Sequence, residues 1–425
     1  MPSSTPPSNA FSPLQSADVA VVGGGIIGTT TALELQRRGY SVTIVEPNEA
    51  GAGTSGGSAG YLAWDDIFPI PNPSVIAQLP RMLLDRRGPL VIKPSYLPHM
   101  IGWGARFLLA ARPAAVKRAI EALSSLNQHA EESLVEVAAR AGAQRYLVRE
   151  TALHVSREPA SLEAAAAQIP TLAAHGITAE IVDRSTLLEQ EPALSADVAG
   201  AIAIPGAYRC TNPEAFGKTL AAFFRSQSGT VRQARATAIE RDMNAWLVRT
   251  SNGIVRADRV VVAAGAWSGP LLRGLGYRVP LQSARGYHLM LPHAQVRLDR
   301  LMHFNEPHFV ATPMEQGLRL AGTVEFAGID APPNGYRAEM LFDLAREYLP
   351  ALRRDGAVQW MGHRPSLPDS LPIISPLRQS PGVVAAIGHE RRGLTESGIT
   401  ARCVADLVGE KAPPIDLGPF TIERF

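Results

Sequence analysis

Residues 18–46, DVAVVGGGIIGTTTALELQRRGYSVTIVE, constrain the fold more than any other stretch of the chain. Asp18–Val22 is a short valine-rich run suited to a strand buried on both faces. Gly23, Gly25 and Gly28 follow as G-x-G-x-x-G, with Ile26 and Ile27 at the start of a helical segment, Thr29–Arg38, that stops at Gly39. Ser41–Val45 is a second β-branched run, closed by Glu46 and Pro47. Each position has a physical task. Gly23 makes the tight turn, Gly25 lets a pyrophosphate approach the backbone at the helix N-terminus, and Gly28 packs helix on strand. Glu46, 18 residues beyond Gly28, is placed to accept ribose hydroxyls. An ordinary βαβ packing turn has no need of that acid, so the spacing predicts an ADP-ribose-binding unit.

The remaining composition narrows the class. The chain has 425 residues, 46% hydrophobic and 19% charged, enough for one large or two ordinary domains. A net charge of +2 argues against a dedicated nucleic-acid binder. There are 37 arginines against four lysines, which reads as coding bias and warns against treating every arginine as a ligand. Cys210 and Cys403 cannot make a disulfide framework or a cysteine-based zinc site; no metal is expected, and a reducing, cytoplasmic setting is. The Pro/Ser-rich segment 1–17 lacks a basic and apolar leader pattern and reads as a disordered lead-in. Ile101–Ala111 is apolar but short and interrupted by Arg106, which predicts a core helix in preference to a membrane-surface one.

Two further segments separate flavin from nicotinamide. Arg259–Ser268 is an apolar strand ending in Ala263-Ala264-Gly265, then Ala266-Trp267-Ser268. Val383–Ile387 is a strand running into Gly388-His389 and a glycine-bounded turn, followed by a helix over Leu394–Val408. A helix start aimed at a reduced flavin stabilises its negative charge, which a nicotinamide does not develop. FAD is therefore the expected cofactor.

Taken together, these pieces resemble the D-amino-acid oxidase/dehydrogenase superfamily, closest to bacterial D-amino acid dehydrogenases, over nearly all of residues 18–425. The resemblance rests on GGGIIG with Glu46, on Thr54-Ser55-Gly56-Gly57-Ser58-Ala59-Gly60-Tyr61, and on Ala263–Ser268. It also rests on Arg285-Gly286-Tyr287, Gly317–Gly322, Gly362-His363-Arg364-Pro365 through Asp369, and Gly388-His389 through Gly393-Leu394-Thr395. It implies an α/β (α+β overall) fold: a Rossmann-type FAD domain at 18–95, 205–275 and 357–425, interleaved with a substrate domain at 96–204 and 276–356 built on a mixed sheet. Local patterns agree, since 114–142 is helix-forming and Gly317–Phe326 alternates as a strand.

The resemblance also implies roles. A planar guanidinium grips a carboxylate in bidentate fashion, and the family's G-x-R-P arginine falls on Arg364. Tyr287 is a candidate hydroxyl for the substrate carboxylate or amine, the alternative being a core aromatic. Arg319 is a candidate basic group near the flavin, the alternative being a salt bridge within the sheet. His308 and Phe309 are candidate pocket residues on the preceding strand. His363 should point away from whatever Arg364 faces. The flavin contacts expected are Gly23, Gly25, Ile26, Ile27, Gly28, Glu46 and Pro47; Thr54, Ser55, Gly57, Ser58, Ala59 and Gly60; Ala264, Gly265 and Trp267; and Gly362, Arg364, Gly388, His389, Gly393, Leu394 and Thr395. With no Cys in Gly356–Trp360 and no His in Thr54–Tyr61, the FAD is expected to be non-covalent.

The implied reaction is hydride transfer from Cα of a D-amino acid to flavin N5, without a strong protein base, giving a 2-oxo acid and ammonia. Electrons would pass to a quinone or other carrier, with peripheral contact at the inner face of a membrane, through Ile101–Leu109, left open. Alternatives are glycine-like, N-substituted or cyclic imino acids of the hydroxyproline type, or a non-catalytic flavin-binding subunit. The departure from the family is GHERRG: Glu390, Arg391 and Arg392 stand where quiet residues are usual. Either a charge enters the substrate pocket or the loop faces solvent. Asp65 and Asp66 read as a solvated pair, the alternative being contact with a substrate amine.

Overall fold

The computed structural model describes residues 15–85 and 87–425, so the expected lead-in falls outside it up to residue 14. Its last three residues are a correction. Gln15, Ser16 and Ala17 extend the first strand, Gln15–Val22, pairing in parallel with Val255, Arg256 and Ala257. The neighbouring strand, Gly253–Val262, begins early and offers backbone groups that these residues satisfy.

Along Gln15–Val22, Val19 and Val21 enter the core beside helix Ile26–Arg37, while Ala20 and Val22 enter a second core with Trp246 and Leu272. Burial on both faces is what the continuous apolar run signals. This strand lies inside an eight-stranded sheet with the order 373–376, 383–387, 253–262, 15–22, 42–46, 230–233, and a hairpin at 236–250 on its flank. From 383–387 to 230–233 every pairing is parallel, so five carboxyl ends share one edge. Ligands of open α/β sheets bind at that edge. Helices Ile26–Arg37 and Gly393–Val408 both start there and lie against each other, with Thr30 Oγ1 donating to Ser397 O at 3.1 Å.

A second, ten-stranded sheet covers that edge among the described residues. Its main order is 358–366, 282–291, 317–326, 309–314, 302–304, 147–156, 200–210, 61–62, and it is mixed. Three of its strands, Tyr61–Leu62, Leu90–Ile92 and Val358–Ser366, fall within the limits drawn from sequence for the first unit. Their partners are remote in the chain, which local pattern does not reveal.

The helical stretch at 114–142 is two helices, Pro113–Asn127 and Ala130–Arg140, broken at Gln128–His129. The core helix expected at Ile101–Ala111 is also corrected. Helix Leu97–Ala110 buries only Met100 and Phe107, and leaves Leu97, Ile101, Leu108 and Leu109 exposed. Its inner face meets just a small cluster around Phe326, too narrow to cover a helix that is apolar most of the way round. Helix Pro73–Leu84 beside it in sequence buries no residue at all. No helix among the described residues is long and apolar enough to cross a membrane.

Candidate active site

A cavity of about 1560 Å³ opens between the carboxyl edge of the first sheet and the inner face of the second. Every cofactor contact expected from sequence lines it, except Gly28 and Gly60, which sit behind the lining as turn and packing residues. The glycine turn is built as its spacing requires. Gly23 has φ of +110°, and a Cβ there would lie 2.4 Å from Ala263 O. A Cβ at Gly25 would meet nothing within 4 Å, because that face is open to the cavity. Glu46 accepts Gly24 N–H at 2.8 Å and Asn48 N–H at 3.0 Å, which orients its carboxylate and leaves lone pairs for hydroxyl donors. Two helix N-termini, at Ile26 and Gly393, point into the same space. An open cradle over a glycine, an oriented acid and two positive helix ends fit the pyrophosphate and ribose of FAD.

The loop Thr54–Gly57 is tied down from the second sheet. His288 Nδ1 sits 2.9 Å from Gly57 O, and Thr312 Oγ1 donates to Ala59 O at 2.7 Å. Arg319 belongs to this scaffold. Its Nη1 donates to Gly56 O at 3.3 Å and Ser58 O at 2.6 Å, and it neither lines the cavity nor forms an ion pair among the described residues. Both sequence-based readings of Arg319 are thus replaced by a third: it holds the loop from behind. Burial pushes its guanidinium down to about 10.

Arg364 lies in strand Val358–Ser366, paired with Gln282–Leu291. Its guanidinium lies across Gly286, where a Cβ would sit 2.3 Å from Cζ. Nη1 donates to Thr323 O at 3.1 Å, and Nε and Nη2 make no hydrogen bond among the described residues. His363 points the other way, to Ser283 Oγ at 2.8 Å and edge-on to Trp267, although the wide cavity takes in both strand faces. Tyr287 also lines the cavity, but its hydroxyl is committed: it donates to Glu325 Oε2 at 2.5 Å and accepts Asn334 N–H at 3.1 Å. His308 lines the cavity from a turn with φ of +52°, not from a strand. Phe309 opens the next strand and is packed into the core of the second sheet. His389 is enclosed, with Nε2 3.0 Å from Thr400 Oγ1; burial pushes it down to about 3. It shapes the turn as a neutral ring.

The GHERRG loop brings its charges to the cavity wall, as the first of the two expected courses has it: Glu390, Arg391 and Arg392 all line the cavity, and both arginines are paired within the protein. Arg391 clasps Asp66 with Nε and Nη2 at 2.8 and 2.7 Å. Arg392 is buried, 3.0 Å from Glu396 Oε1 and 3.4 Å from Asp66 Oδ2. Although burial pushes the Asp66 carboxyl up, these two arginines hold it below the usual range. The charges therefore latch the flavin loop to the 63–66 segment, and the solvated acidic pair is a correction. Asp65 is 7% exposed and accepts from Tyr61 OH at 2.7 Å. Sequence reasoning named Tyr61 only as the end of a motif, with no role, and did not find His154, His303 and Asn305; all four line the same end of the cavity. They come from three separate segments, and no local spacing links them.

The family model described as FAD dependent oxidoreductase matches residues 18–407. A D-amino-acid oxidase of Bradyrhizobium diazoefficiens is 33% identical over 415 residues, covering 96% of this chain and 98% of its own. A D-amino acid dehydrogenase of Paramagnetospirillum magneticum is 31% identical over 421 residues, again 96% and 98%. Among solved structures, glycine oxidase from Geobacillus kaustophilus superposes with a TM-score of 0.75 over 97% of this chain and 99% of its own, at 24% identity. L-amino acid deaminase from Proteus vulgaris gives 0.72 over 97% and 94%, at 20% identity. At these identities the structural likeness is one of fold.

Proposed function

Because the chain belongs to the family of FAD-dependent oxidoreductases acting on amino acids, we propose that it oxidises D-amino acids to the imine, which water converts to a 2-oxo acid and ammonia. Bound FAD supplies the acceptor for the two electrons. The observation that carries the proposal is Arg364: a guanidinium with Nε and Nη2 free, facing a cavity continuous with the dinucleotide cradle. Nε and Nη2 form the side of the guanidinium that takes a carboxylate in bidentate fashion. Anchored there, the substrate is held in one orientation, and orientation accounts for much of the rate. His389 is too enclosed to exchange protons with substrate, so no strong base is assigned. The names of the two relatives above 30% identity support the D-configuration.

Electrons leave through a membrane quinone in this reading. Its support is the surface formed by residues 73–85 and 87–118, which carries seven lysines and arginines against one acid, Asp85, in a chain of net charge +2. Exposed Leu83, Leu84, Leu97, Ile101, Leu108 and Leu109 lie among them. Helix Pro73–Leu84 also lines the cavity through Ser74, Val75 and Gln78, so the apolar, cationic face borders its mouth. Direct reduction of oxygen is the second reading, favoured by the oxidase name of the Bradyrhizobium relative.

The test is anaerobic mixing of the yellow holoprotein with D- and L-amino acids, glycine, sarcosine and cyclic imino acids. Bleaching by D-amino acids is expected. Bleaching by secondary or cyclic amines alone would replace the D-amino acid proposal, and none at all would leave a flavin-binding subunit. Oxygen uptake measured against reduction of a short-chain quinone then decides the acceptor.

A further inference from the structure

Two adjacent acids line the cavity, and they are treated differently. Asp66 is held by Arg391 and Arg392. Asp65, nine-tenths buried, has no lysine or arginine within ion-pair distance among the described residues. Its Oδ1 accepts the Tyr61 hydroxyl, and Oδ2 stands 3.5 Å from His154 Nε2 with no hydrogen bond of its own. A buried carboxylate without a cation is costly, and burial pushes the Asp65 carboxyl above its ordinary range. Such a group on a cavity wall marks a place where a ligand supplies the missing charge.

Its neighbours are suited to the same ligand. The Tyr61 oxygen lies 3.1 Å from His154 Nε2, and the His154 and His303 rings are 5.2 Å apart. Asn305 Nδ2 donates to Ser156 Oγ at 2.8 Å, which turns Oδ1 toward His303 Nδ1 at 3.1 Å. So placed, His303 carries its hydrogen on Nδ1 and offers Nε2 as an acceptor. Burial holds the ring neutral, down to about 3. This end of the cavity is rich in acceptors, and its cations, Arg391 and Arg392, are committed to Asp66, Glu390 and Glu396, whereas Arg364 keeps a free side. No three His, Cys, Asp or Glu side chains among the described residues converge as metal ligands do.

Distance sets the length of the occupant. The strands carrying Arg364 and His303 are four steps apart in the second sheet, ~19 Å at ~4.8 Å per step. The Arg364 side chain covers part of that span, and an extended substrate covers the rest. Resting on the D-amino acid reading above, we propose that Asp65, with His154 and His303, receives the cationic end of a long side chain, so the substrate class is basic D-amino acids such as D-lysine and D-arginine. Small D-amino acids leave that end empty.

The holoenzyme is assayed with D-lysine, D-arginine, D-norleucine and D-alanine. D-norleucine has the four side-chain carbons of lysine without its ammonium group. D-lysine or D-arginine is expected to exceed D-norleucine in kcat/KM by about thirtyfold or more, the scale of a desolvated charge pair. Asp65→Asn should shrink that ratio by a similar factor, chiefly through KM for the basic substrates, with Asp65→Glu recovering part of it. Equal use of D-norleucine and D-lysine by the unaltered enzyme overturns the inference while leaving D-amino acid oxidation standing. So does an Asp65→Asn enzyme that loses both substrates equally, which is the mark of a structural role. If no D-amino acid bleaches the flavin, the D-amino acid reading and this inference fall together. Because the first comparison needs no variant, it holds even if Asp65→Asn does not fold.

Discussion

Gly286 and Arg364 depend on each other. The guanidinium can lie flat across the neighbouring strand only because position 286 has no Cβ, which would sit 2.3 Å from Cζ and Nη2. Gly286→Ala therefore displaces the carboxylate anchor without touching the dinucleotide cradle. The expected outcome is a fall of about a hundredfold in kcat/KM, the scale of a misplacement of roughly 1 Å, with flavin absorbance per protein unchanged. Loss of flavin along with activity would place Gly286 in the cofactor site instead. Arg364→Lys keeps the charge and removes the fork. Losing one charge-assisted hydrogen bond, about 1.5–3 kcal/mol, should raise KM about ten- to a hundredfold in steady-state assays, with a smaller change in kcat. An unchanged KM would take the substrate carboxylate away from Arg364.

Helices are usually amphipathic toward a core, and Leu97–Ala110 reverses this. Its buried residues are Met100 and Phe107, while Leu97, Ile101 and Leu108 project outward at spacings of four and seven. Arg106 lies on the helix, with Lys93, Arg112, Lys117 and Arg118 close by in sequence and all exposed. Each cation contributes about 1 kcal/mol near an anionic leaflet, and the apolar stripe adds insertion. The protein should co-float with vesicles containing phosphatidylserine and stay behind with neutral ones. Binding should weaken as salt is raised from 0.1 to 0.5 M. The double variant Ile101→Glu, Leu108→Glu should abolish flotation while D-amino acids still bleach the flavin. Flotation that survives both glutamates would move the contact elsewhere, and no flotation at all would favour a soluble acceptor.

At the scale of the molecule, what could be read from sequence was whatever several local signals agreed upon. The unit from Asp18 to Glu46 combines strand, turn, helix and acid within one short window, and each piece holds in the structure. The strand at 383–387 and its helix were legible for the same reason, and Arg364 through motif resemblance. The latch of Arg391 on Asp66 was not, because 325 residues separate the partners. Nor was the side on which Arg319 lies: both faces of Gly317–Phe326 are largely covered, so alternation no longer marks inside and outside. The same enclosure makes the whole fold sensitive to acid. Burial pushes His288, His303 and His389 down to about 4, 3 and 3. Folded, they stay neutral; unfolded, each takes a proton near pH 6.5. Their contribution is complete above that pH and is lost as the pH falls toward the folded values. Asp65 and Glu396, pushed up by burial, work with the opposite sign, so the net slope mixes several groups and a single-site variant separates them. His389→Gln should melt lower than the unaltered protein at pH 7, having lost its fit to Thr400. Between pH 6 and 4 it should lose stability less steeply, by up to one proton, about 1.4 kcal/mol per pH unit. Thermal melts across that range measure the two slopes. Parallel slopes would mean that His389 is protonated in the folded protein, and that the turn beneath the flavin is open to water.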